Sequence, residues 1–505
     1  MLYTITPSAM KRIEQRFMEE TKTESLTLME RAAGHVADAC MPYLWHGAKL
    51  LALCGTGNNG GDGLAAARIL LSRYETLQCV VYQLAGQQSP ETAEQTDRLR
   101  AYGNRVEFVT VGETAPTIPA DCVCAIDALL GTGLSRPLSG AALALAEELN
   151  AGDLPVVAVD IPSGLDGETG YAPQGGTVVQ ADVTVTFHRP KNGLYLGDGP
   201  DFCGEITVGD LGIPAGYDDA RGFLVMEAED VIRSPRRKNT HKGSYGKLLA
   251  ITGSFAMPGA AGISALAALR AGAGMVTVAC PRSIAQTVLS ICPCATSLPL
   301  PDETPWSVLE PALLKADVLI AGCGLGKSHA VSRLIERLIQ YLCSRDLPAV
   351  LDADALNGLA KYQDEFLSQS LRFPDGVVLT PHLGEAARLL RWPTEQVKLE
   401  QARAARELRA RYGGSIVLKS ATSVLIAQDG EAISRFGTPA MAKAGSGDTL
   451  AGILGALLAG REAYGLHGIR LLQTACALHG LAGEAAAKEY GEHGVLATDV
   501  CDFIR

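Results

Sequence analysis

Three polar loops in the first half of the chain carry residue types that bind ligands and move protons. The first, GTGNNGGDG from Gly55 onward, fits the pattern G-x-G-x-x-G. The others are DALLGTGLSRPLSG at residues 127–140 and DIPSGLDGETG at residues 160–170. Glycines let a backbone approach a ligand closely, and free N–H groups at a helix start attract phosphate. These loops therefore predict a site for a phosphate-bearing ligand.

The first half of the chain does not have the full pattern of a standard binding site for NAD as a redox cofactor. Such a site also places an Asp or Glu at the end of the second strand, where it binds the ribose hydroxyls. The second strand here ends YQLAGQQ, without an acid. The glycine loop also carries Asn58, Asn59 and Asp62, which are more polar side chains than a pyrophosphate turn needs. The context therefore counts against the usual fingerprint.

Oxygen-bearing residues follow three different strands of this half, at Asn59, Asp127 and Ser163. Each alone is most simply a turn or cap residue. Because the carboxyl ends of parallel strands meet at one sheet edge, we expect the three to converge, and such ligands suit a hard cation. Asp127 and Asp160 are also candidates for acid–base catalysis. Asp160 is preferred, because a cation would make Asp127 a poorer base, and Lys191 is either its electrostatic partner or a surface lysine.

A stronger signal lies in the second half, in AMAKAGSGDTLAGILGALLAG at residues 440–460. Gly445, Ser446 and Gly447 precede Asp448, and a helical pattern follows at once. This arrangement predicts an anion site made by free N–H groups at a helix start. Asp448 beside it would act as a base for a substrate hydroxyl in phosphoryl transfer. The simpler alternative is that Asp448 only caps the helix.

Other polar residues follow further strands of the second half. AGCGLGKS at residues 321–328 lacks the first glycine of a P-loop, and we interpret it as a glycine turn that lines a pocket. His382 ends one strand, and Lys419 with several hydroxyl residues follows another, as nucleotide contacts often do. Asp352 and Asp354 are either metal-binding carboxylates or caps.

Apolar strand patterns that alternate with helical patterns must position these residues. The strand patterns lie at residues 49–55, 79–86, 105–109, 122–131, 155–162, 181–188, 246–254, 275–281, 316–324, 348–356, 376–382 and 415–420, with a hairpin at 423–437. Near-continuous apolar strands between helices predict parallel sheets covered on both faces. The alternation breaks after residues 203–222, where Gly, Pro and Asp cluster. We therefore predict two α/β domains of three αβα layers, at 1–215 and 230–505, joined by a linker at 216–229.

Composition limits the class of protein. The 505 residues exceed one ordinary core, and 47% hydrophobic with 20% charged residues is typical of a globular protein. The net charge of −11 disfavours broad binding to nucleic acid or to an anionic membrane. The 13 irregularly spaced cysteines predict reduced thiols in the cytoplasm. The start has no signal-peptide pattern, and no apolar run is long enough to span a bilayer.

The first-half motifs GTGNNGGDG, DALLGTG and DIPSGLDGETG, with TFHRPKNGLYLGDG at residues 186–199, resemble the NAD(P)H-hydrate epimerase domain in type and order. The resemblance covers about residues 1–215 and implies a Rossmann-like sheet. It implies epimerisation at C6 of a hydrated reduced nicotinamide, and a potassium ion on Asn59, Asp127 and Ser163. The implied substrate contacts are Asn58, Asn59, Gly60, Gly61, Asp62, Gly131, Thr132, Gly133, Leu134, Ser135, Arg136, Pro137 and Asp160.

In the second half HKGSYGKLLAITGS, GAAGISALAALRAGAGMVTVACP, GCGLG, LDADALN, LTPHLGEAARLL, LKSATSV and GSGDTLAG resemble, in order, the ADP-dependent NAD(P)H-hydrate dehydratase, which has a ribokinase-like fold. The resemblance covers about residues 230–505. It implies hydrate contacts at Ala260, Gly324, His382 and Asp448. It implies that ADP, with Mg²⁺, is bound by Lys419, Ser420, Ala421, Thr422, Ser423 and Gly447. Ser446 and Cys323 stand where the family commonly has Thr and Pro, and neither change removes a needed group.

Together the two resemblances predict a bifunctional enzyme that repairs hydrated NADH and NADPH. The N-terminal half would interconvert the R and S hydrates. The C-terminal half would dehydrate the S hydrate with ADP, releasing AMP and phosphate. We expect a cytoplasmic homo-oligomer without nucleic-acid or membrane partners. Two alternatives stay open: a small-molecule kinase in the C-terminal half, which would leave a stable phosphorylated product, and a non-catalytic binding module in the N-terminal half.

Overall fold

The computed structural model divides the chain into two compact units. One comprises Tyr3–Phe223, and the other comprises Leu224–Arg505 together with the start of the chain at Leu2. The residues described are 1–505 except Met1, Glu113, Ser135, Ala220, 232–234 and 302–304. Each unit is built around its own sheet.

Strands and helices alternate along the chain before Leu224. In chain order they are β1 (Leu2–Tyr3), α1 (Pro7–Thr21), α2 (Ser25–Cys40), β2 (Lys49–Cys54), α3 (Asn58–Arg73), β3 (Gln78–Leu84), α4 (Pro90–Arg100), β4 (Val106–Val111), β5 (Cys124–Ala128), α5 (Gly140–Ala151), β6 (Val156–Val159), β7 (Val183–Phe187), α6 (Gly199–Phe202) and β8 (Glu205–Gly209). The described strands of the N-terminal unit pair in parallel in the order β4-β3-β2-β5-β6-β7-β8.

The same alternation continues from Leu224 to the end of the chain. The elements are β9 (Leu224–Val225), β10 (Lys247–Ile251), α7 (Pro258–Ala271), β11 (Met275–Pro281), α8 (Ala285–Ile291), β12 (Thr296–Leu300), α9 (Pro305–Leu313), β13 (Val318–Ala321), α10 (His329–Ser344), β14 (Ala349–Leu351), α11 (Asp354–Ser368), β15 (Phe373–Leu379), α12 (Leu383–Leu390), α13 (Thr394–Leu399), α14 (Gln401–Tyr412), β16 (Gly413–Leu418), β17 (Ser423–Ala427), β18 (Gly430–Ser434), α15 (Ser446–Ala459), α16 (Arg461–Tyr464), α17 (Gly468–Tyr490) and α18 (Ala497–Asp502).

The C-terminal sheet has the strand order β1-β9-β18-β17-β16-β15-β14-β13-β10-β11-β12. Strands β10 to β16 pair in parallel, whereas β16, β17 and β18 pair in an antiparallel way. The antiparallel pair β17–β18 is the hairpin predicted for residues 423–437, and its second strand begins at Gly430. The mostly parallel arrangement agrees with the predicted ribokinase-like α/β class.

Both faces of the N-terminal sheet are buried, which confirms the predicted three layers. Along β2, Leu50 and Ala52 belong to one apolar cluster, whereas Leu51 and Leu53 belong to another. Successive side chains of a strand point to opposite faces, so the two clusters lie on opposite sides of the sheet. This explains why the strand reads as a continuous apolar run in the sequence.

The sequence patterns missed three edge strands, β1, β8 and β12. Only the last residue of β8, Gly209, is buried. β12 contains Pro299, which is tolerated because this strand is at the edge of its sheet. The range 216–229 predicted as a linker includes β9, which pairs with β18. Nearly all residues of β8 and β12 are exposed or half-buried, so the continuous apolar pattern that indicates central strands is absent there.

The helices of the chain bear on membrane crossing, and its cysteines bear on disulfide bonds. Of the helices in the described ranges, none combines the length and the apolar character that a bilayer crossing requires. All 13 cysteines are free thiols, and Cys294 is the exposed one.

Candidate active sites

The N-terminal unit contains a cleft of about 670 Å³ at the carboxyl ends of its central strands. Its walls come from α1, α2, the start of α3, and the loops after β5, β6 and β7. Ligands of open parallel sheets bind at this edge, so the cleft lies where the sequence placed the three polar loops.

Most of the glycine-rich segment belongs to the first turns of α3 and not to a loop. Gly57 is the N-cap, so Asn58, Asn59 and Asp62 lie on the first turns of the helix, and all three line the cleft. Gly60 and Gly61 face the protein instead. A Cβ at Gly60 would overlap the Gly55 carbonyl, and one at Gly61 would lie 2.9 Å from Thr92 Oγ1. These two glycines allow close packing of the helix start.

The loop after β5 forms a second wall of the cleft. Gly131, Thr132, Gly133, Leu134, Arg136 and Pro137 line it, and Ser135 lies outside the described residues. Gly131 lies against the Asn59 side chain, because a Cβ there would be 3.1 Å from Asn59 Oδ1. Its neighbour Leu130 donates its N–H to Ser163 Oγ at 2.9 Å. The loop thus links the side chains of Asn59 and Ser163.

Asp127 is fully buried at the end of β5 and is bound by Ser163. Ser163 donates its hydroxyl to Asp127 Oδ1 at 2.6 Å and its N–H to Oδ2 at 2.8 Å. Burial raises the pKa of Asp127 to about 6, although these hydrogen bonds lower it. Among the described residues, no cationic side chain pairs with this carboxylate. Nearby, the Nδ2 atom of Asn59 is buried without a hydrogen-bond partner.

Asp160 and Lys191 form an ion pair in the wall of the cleft. Lys191 is 2% exposed, so the electrostatic-partner interpretation holds and the surface-lysine interpretation is wrong. Thr186 Oγ1 donates to Asp160 Oδ1 at 3.1 Å, and Lys191 Nζ donates to Thr186 Oγ1 at 3.2 Å. The backbone of Asp160 is left-handed, with φ 65°, a region that Asp tolerates better than most residues.

Glu14 on α1 is a cleft residue that the sequence analysis did not single out. Its pKa is raised to about 7, because burial and the Asp160 carboxylate outweigh the lowering effect of Lys191. One signal could have found it. Glu14 lies four residues from both Met10 and Met18, which also line the cleft, so it interrupts an apolar helix face.

In the C-terminal unit, Asp448 lies in the first turn of α15. Gly445 is the N-cap, with φ 95°, and no side chain caps this helix. Asp448 is the third residue of the helix, so the alternative that it only caps α15 is wrong. The free N–H groups of the first turn and the helix dipole make this end attractive to anions.

Asp448 belongs to a compact polar cluster with Asp352 and Cys323. One ligand atom from each lies within 4.8 Å of the others. Asp352 Oδ1 accepts hydrogen bonds from Lys419 Nζ at 2.5 Å and from Thr380 Oγ1 at 2.8 Å. Burial and the Asp352 carboxylate raise the pKa of Asp448 to about 7, whereas the Cys323 thiol and the Lys419 ammonium lower it. Such a group can accept a proton near neutral pH.

The predicted nucleotide residues lie around Lys419. Gly447 is beside it, since a Cβ there would be 3.3 Å from Lys419 Nζ and 3.5 Å from Asp352 Oδ2. Ser420 Oγ lies 2.6 Å from the Thr422 carbonyl oxygen and 2.8 Å from Gln401 Oε1, so this hydroxyl lies within the turn between β16 and β17 and can donate to either acceptor. The remaining members of the turn are Ala421, which is exposed, and Ser423, the first residue of β17.

His382 and Lys419 lie side by side after neighbouring strands, joined by a β-bridge. His382 caps α12: its Nδ1 accepts the Gly384 N–H at 3.0 Å, and its own N–H donates to Glu385 Oε2 at 2.9 Å. Burial and Lys419 lower the pKa of His382, which keeps the ring neutral at pH 7. Burial raises the pKa of Glu385 to about 7.

The segment 321–328 is a glycine turn, as the sequence analysis interpreted it. Gly324 has φ 63° and lies against Ala260, since a Cβ there would be 2.8 Å from Ala260 Cβ. The two predicted hydrate contacts are therefore adjacent. Asp354 accepts the Gly326 N–H at 2.7 Å and the Asn357 amide at 3.2 Å, so it holds this turn in place.

These features define a protein with two α/β units, of which the first has a polar cleft at its sheet edge and the second has a cluster of carboxylates at the start of α15. Residues 248–505 match the protein family described as NAD(P)H-hydrate dehydratase. Residues 25–193 match the family described as YjeF-related protein N-terminus.

The whole chain is similar to curated bifunctional NAD(P)H-hydrate repair enzymes. The one from Moorella thermoacetica is 34% identical over 528 residues, covering 100% of this chain and 96% of the relative. The one from Coxiella burnetii is 35% identical, covering 97% and 96%. A solved ADP/ATP-dependent NAD(P)H-hydrate dehydratase from Bacillus subtilis is 29% identical and covers 55% of this chain and 94% of that chain, with a TM-score of 0.47. The chain belongs to the family of bifunctional NAD(P)H-hydrate repair enzymes, which confirms the resemblance drawn from its motifs.

Proposed function

We propose that this chain restores hydrated NADH and NADPH in two steps. The N-terminal unit interconverts the R and S hydrates, and the C-terminal unit dehydrates the S hydrate with ADP, releasing AMP and phosphate. The observation that carries the proposal is that each unit places a candidate base near a lysine: Asp160 beside the buried Lys191, and Asp448 near the half-buried Lys419. The full-length similarity to repair enzymes supports the same assignment.

In the N-terminal unit, the cleft wall supplies polar contacts for a dinucleotide. We infer that Asn58, Asn59 and Asp62 face the hydrate, together with the loop 131–137. Asp160 is the base, because its carboxylate lines the cleft and is held in place by hydrogen bonds from Lys191 and Thr186. Gly60 lets the start of α3 lie against Gly55 after β2, and Gly61 lets it lie against Met29 of α2 and Thr92 of α4.

A potassium ion fits the residues around Asp127. This buried carboxylate accepts only neutral donors among the described residues, which leaves its charge without a counterion. Asp127, Ser163 and the side-chain amide of Asn59 would hold the ion through oxygen atoms, which is the chemistry that hard cations prefer. A bound cation there supplies positive charge beside the phosphate-bearing substrate.

Potassium should stabilise the protein through Asp127. At a K⁺ concentration a hundredfold above its Kd, linkage predicts a gain of about 2.7 kcal/mol in the free energy of unfolding. Thermal melts in KCl and in tetramethylammonium chloride at equal ionic strength measure this gain. We expect Asp127→Asn to abolish the difference between the two salts. An equal difference in wild type and Asp127→Asn would place the ion elsewhere.

In the C-terminal unit, the hydroxyl on C6 of the hydrate is a poor leaving group. We infer that Asp448 accepts its proton while the oxygen attacks the terminal phosphoryl group of ADP, releasing AMP. The C6–O bond then breaks with its electron pair on phosphate, and loss of a proton from C5 restores the dihydropyridine. The N–H groups at the start of α15 stabilise the charge that develops on the phosphoryl oxygens. Lys419 and the turn 420–423 bind the nucleotide.

Magnesium fits beside this cluster. Asp352 Oδ1 is taken by Lys419 and Thr380, whereas Oδ2 has the Cys323 thiol at 3.9 Å as its nearest described donor. Asp352 would therefore hold Mg²⁺ through Oδ2, directly or through water. The ion neutralises charge on the ADP phosphates when bound.

The test is recovery of reduced-nicotinamide absorbance by the full chain from mixed hydrate epimers with ADP. We expect recovery beyond the S fraction at a rate above spontaneous epimerisation, with AMP and phosphate as products. Recovery that stops at the S fraction would instead support the binding-module alternative for the N-terminal unit. Accumulation of a stable phosphorylated hydrate would support the kinase alternative for the C-terminal unit.

We also propose a cytoplasmic location and self-association. The 13 free thiols support a reducing compartment. Self-association rests on the family resemblance alone.

A further inference from the structure

Three carboxyl groups from separate elements converge on the N-terminal cleft. Glu14 lies on α1, Asp62 lies on α3, and Asp160 follows β6. One buried ammonium, that of Lys191, lies among them. Lys11 and Arg136 are the other charged residues that line this cleft in the described part of the chain. Like charges in a small space disfavour full ionisation, so protons are retained within this group at neutral pH.

The carboxyl groups differ in what holds them. Asp160 accepts hydrogen bonds from Lys191 and Thr186. No hydrogen bond or ion pair from a described residue reaches the Glu14 carboxyl. Its pKa is raised to about 7 because of burial and the nearby Asp160 charge, against the effect of Lys191. Glu14 is therefore a carboxyl group without a described donor beside it, and its raised pKa lets it carry a proton near neutral pH.

We propose that Glu14 is the second proton-transfer group of the epimerase, paired with Asp160. This inference rests on the proposed epimerase function. One route to epimerisation removes the hydroxyl from one face of C6 and returns one to the other face, and it uses an acid and a base that exchange roles between directions. Glu14 and Asp160 come from different elements that line one cleft, and their carboxyl groups are close enough for the Asp160 charge to raise the pKa of Glu14.

The step balances as follows. Glu14 donates its proton to the C6 hydroxyl, the C6–O bond breaks with its electron pair on the departing water, and the ring nitrogen supplies a pair to form C6=N1. Water then adds to the opposite face of C6, the pair returns to N1, and Asp160 takes the proton released by the water. The net change is one proton moved from Glu14 to Asp160, and the reverse reaction moves it back.

The experiment compares Glu14→Gln with wild type in the full chain, using the R hydrate, ADP and Mg²⁺. We expect epimerisation to fall by about 10²-fold or more, which is the typical contribution of one acid–base group. Dehydration of the S hydrate should be unchanged. Glu19→Gln is the matched control, because Glu19 is an exposed residue on the same helix.

The pH profile separates proton transfer from a merely structural role. Wild-type epimerisation should decline as pH rises through about 7, since Glu14 loses the proton it must donate. Glu14→Gln should lose this decline, and Glu14→Asp should restore it together with part of the rate. These results support the proposal even if Glu14→Gln melts at a lower temperature.

Two different failures can be told apart. No epimerisation by the wild-type chain would overturn the proposed function itself. If the wild-type chain epimerises the hydrate and Glu14→Gln shows the same rate and the same pH decline, only the role of Glu14 is overturned. If Glu14→Asp is as slow as Glu14→Gln and its epimerisation also fails to decline with rising pH, the role of Glu14 is overturned as well.

Discussion

Replacing Asp448 with Asn should lower the dehydratase kcat by about 10³-fold, since a positioned base contributes typically 10²–10⁴-fold. Asn keeps the size of the side chain but cannot accept the proton of the C6 hydroxyl. ADP binding should persist, because Lys419 and the N–H groups of α15 are untouched. Stopped assays with the S hydrate and equilibrium binding of ADP measure the two effects.

The pH dependence gives a second readout of the same group. The pKa of Asp448 is about 7, and the base must be ionised to act. Wild-type dehydration should therefore rise as pH increases through about 7, and Asp448→Asn should lose that rise. Asp502→Asn is the control, because Asp502 is an exposed carboxylate of the same unit that pairs with Arg270. Nearly unchanged turnover in Asp448→Asn would refute its role as base.

Asp160→Asn should lower epimerisation by about 10²–10⁴-fold while leaving S-hydrate dehydration intact. Asn tolerates the left-handed backbone at this position, so the change removes the charge without adding backbone strain. The assay follows the R hydrate in an excess of active dehydratase. Unchanged epimerisation in this variant would remove Asp160 from the mechanism.

The same substitution leaves Lys191 buried without its anionic partner. Breaking a buried pair from one side costs about 3–5 kcal/mol, so Asp160→Asn should also melt at a lower temperature. The double variant Asp160→Asn, Lys191→Met removes both charges and should regain much of that stability. It should not regain epimerisation. If the double variant regains epimerisation together with stability, the loss of epimerisation in Asp160→Asn results from its lower stability and not from the missing base.

Local motifs predicted much of the C-terminal site. Gly445, Gly447 and Asp448 lie within four residues of one another. A helix that starts at such glycines directs its free N–H groups toward an anion, so the local sequence is enough to predict the site. Lys419 and Asp352 follow parallel strands of one sheet, so their approach to a common edge was expected. The ion pair between them could not be predicted, because it depends on which side chains point toward each other.

The N-terminal site was less predictable. Asp160 and Lys191 follow neighbouring strands, but only tertiary packing shows that Lys191 is buried. Glu14 reaches the cleft from α1, which is outside the strand-end loops that the sheet-edge rule considers. Its helix face mixes Met10 and Met18 with a carboxylate, and such a mixture is also typical of an ordinary surface helix. A rule based on strand ends cannot find residues that a helix brings to the same edge.

The start of the chain lies in the C-terminal sheet, where β1 is next to β9. The N-terminal unit is therefore topologically an insertion between β1 and the rest of that sheet. In genetic terms, dividing the coding sequence between Phe223 and Leu224 would not yield two intact halves. The N-terminal product would carry β1, which belongs to the sheet of the C-terminal product. A C-terminal unit encoded on its own would need another segment to cover that edge of its sheet.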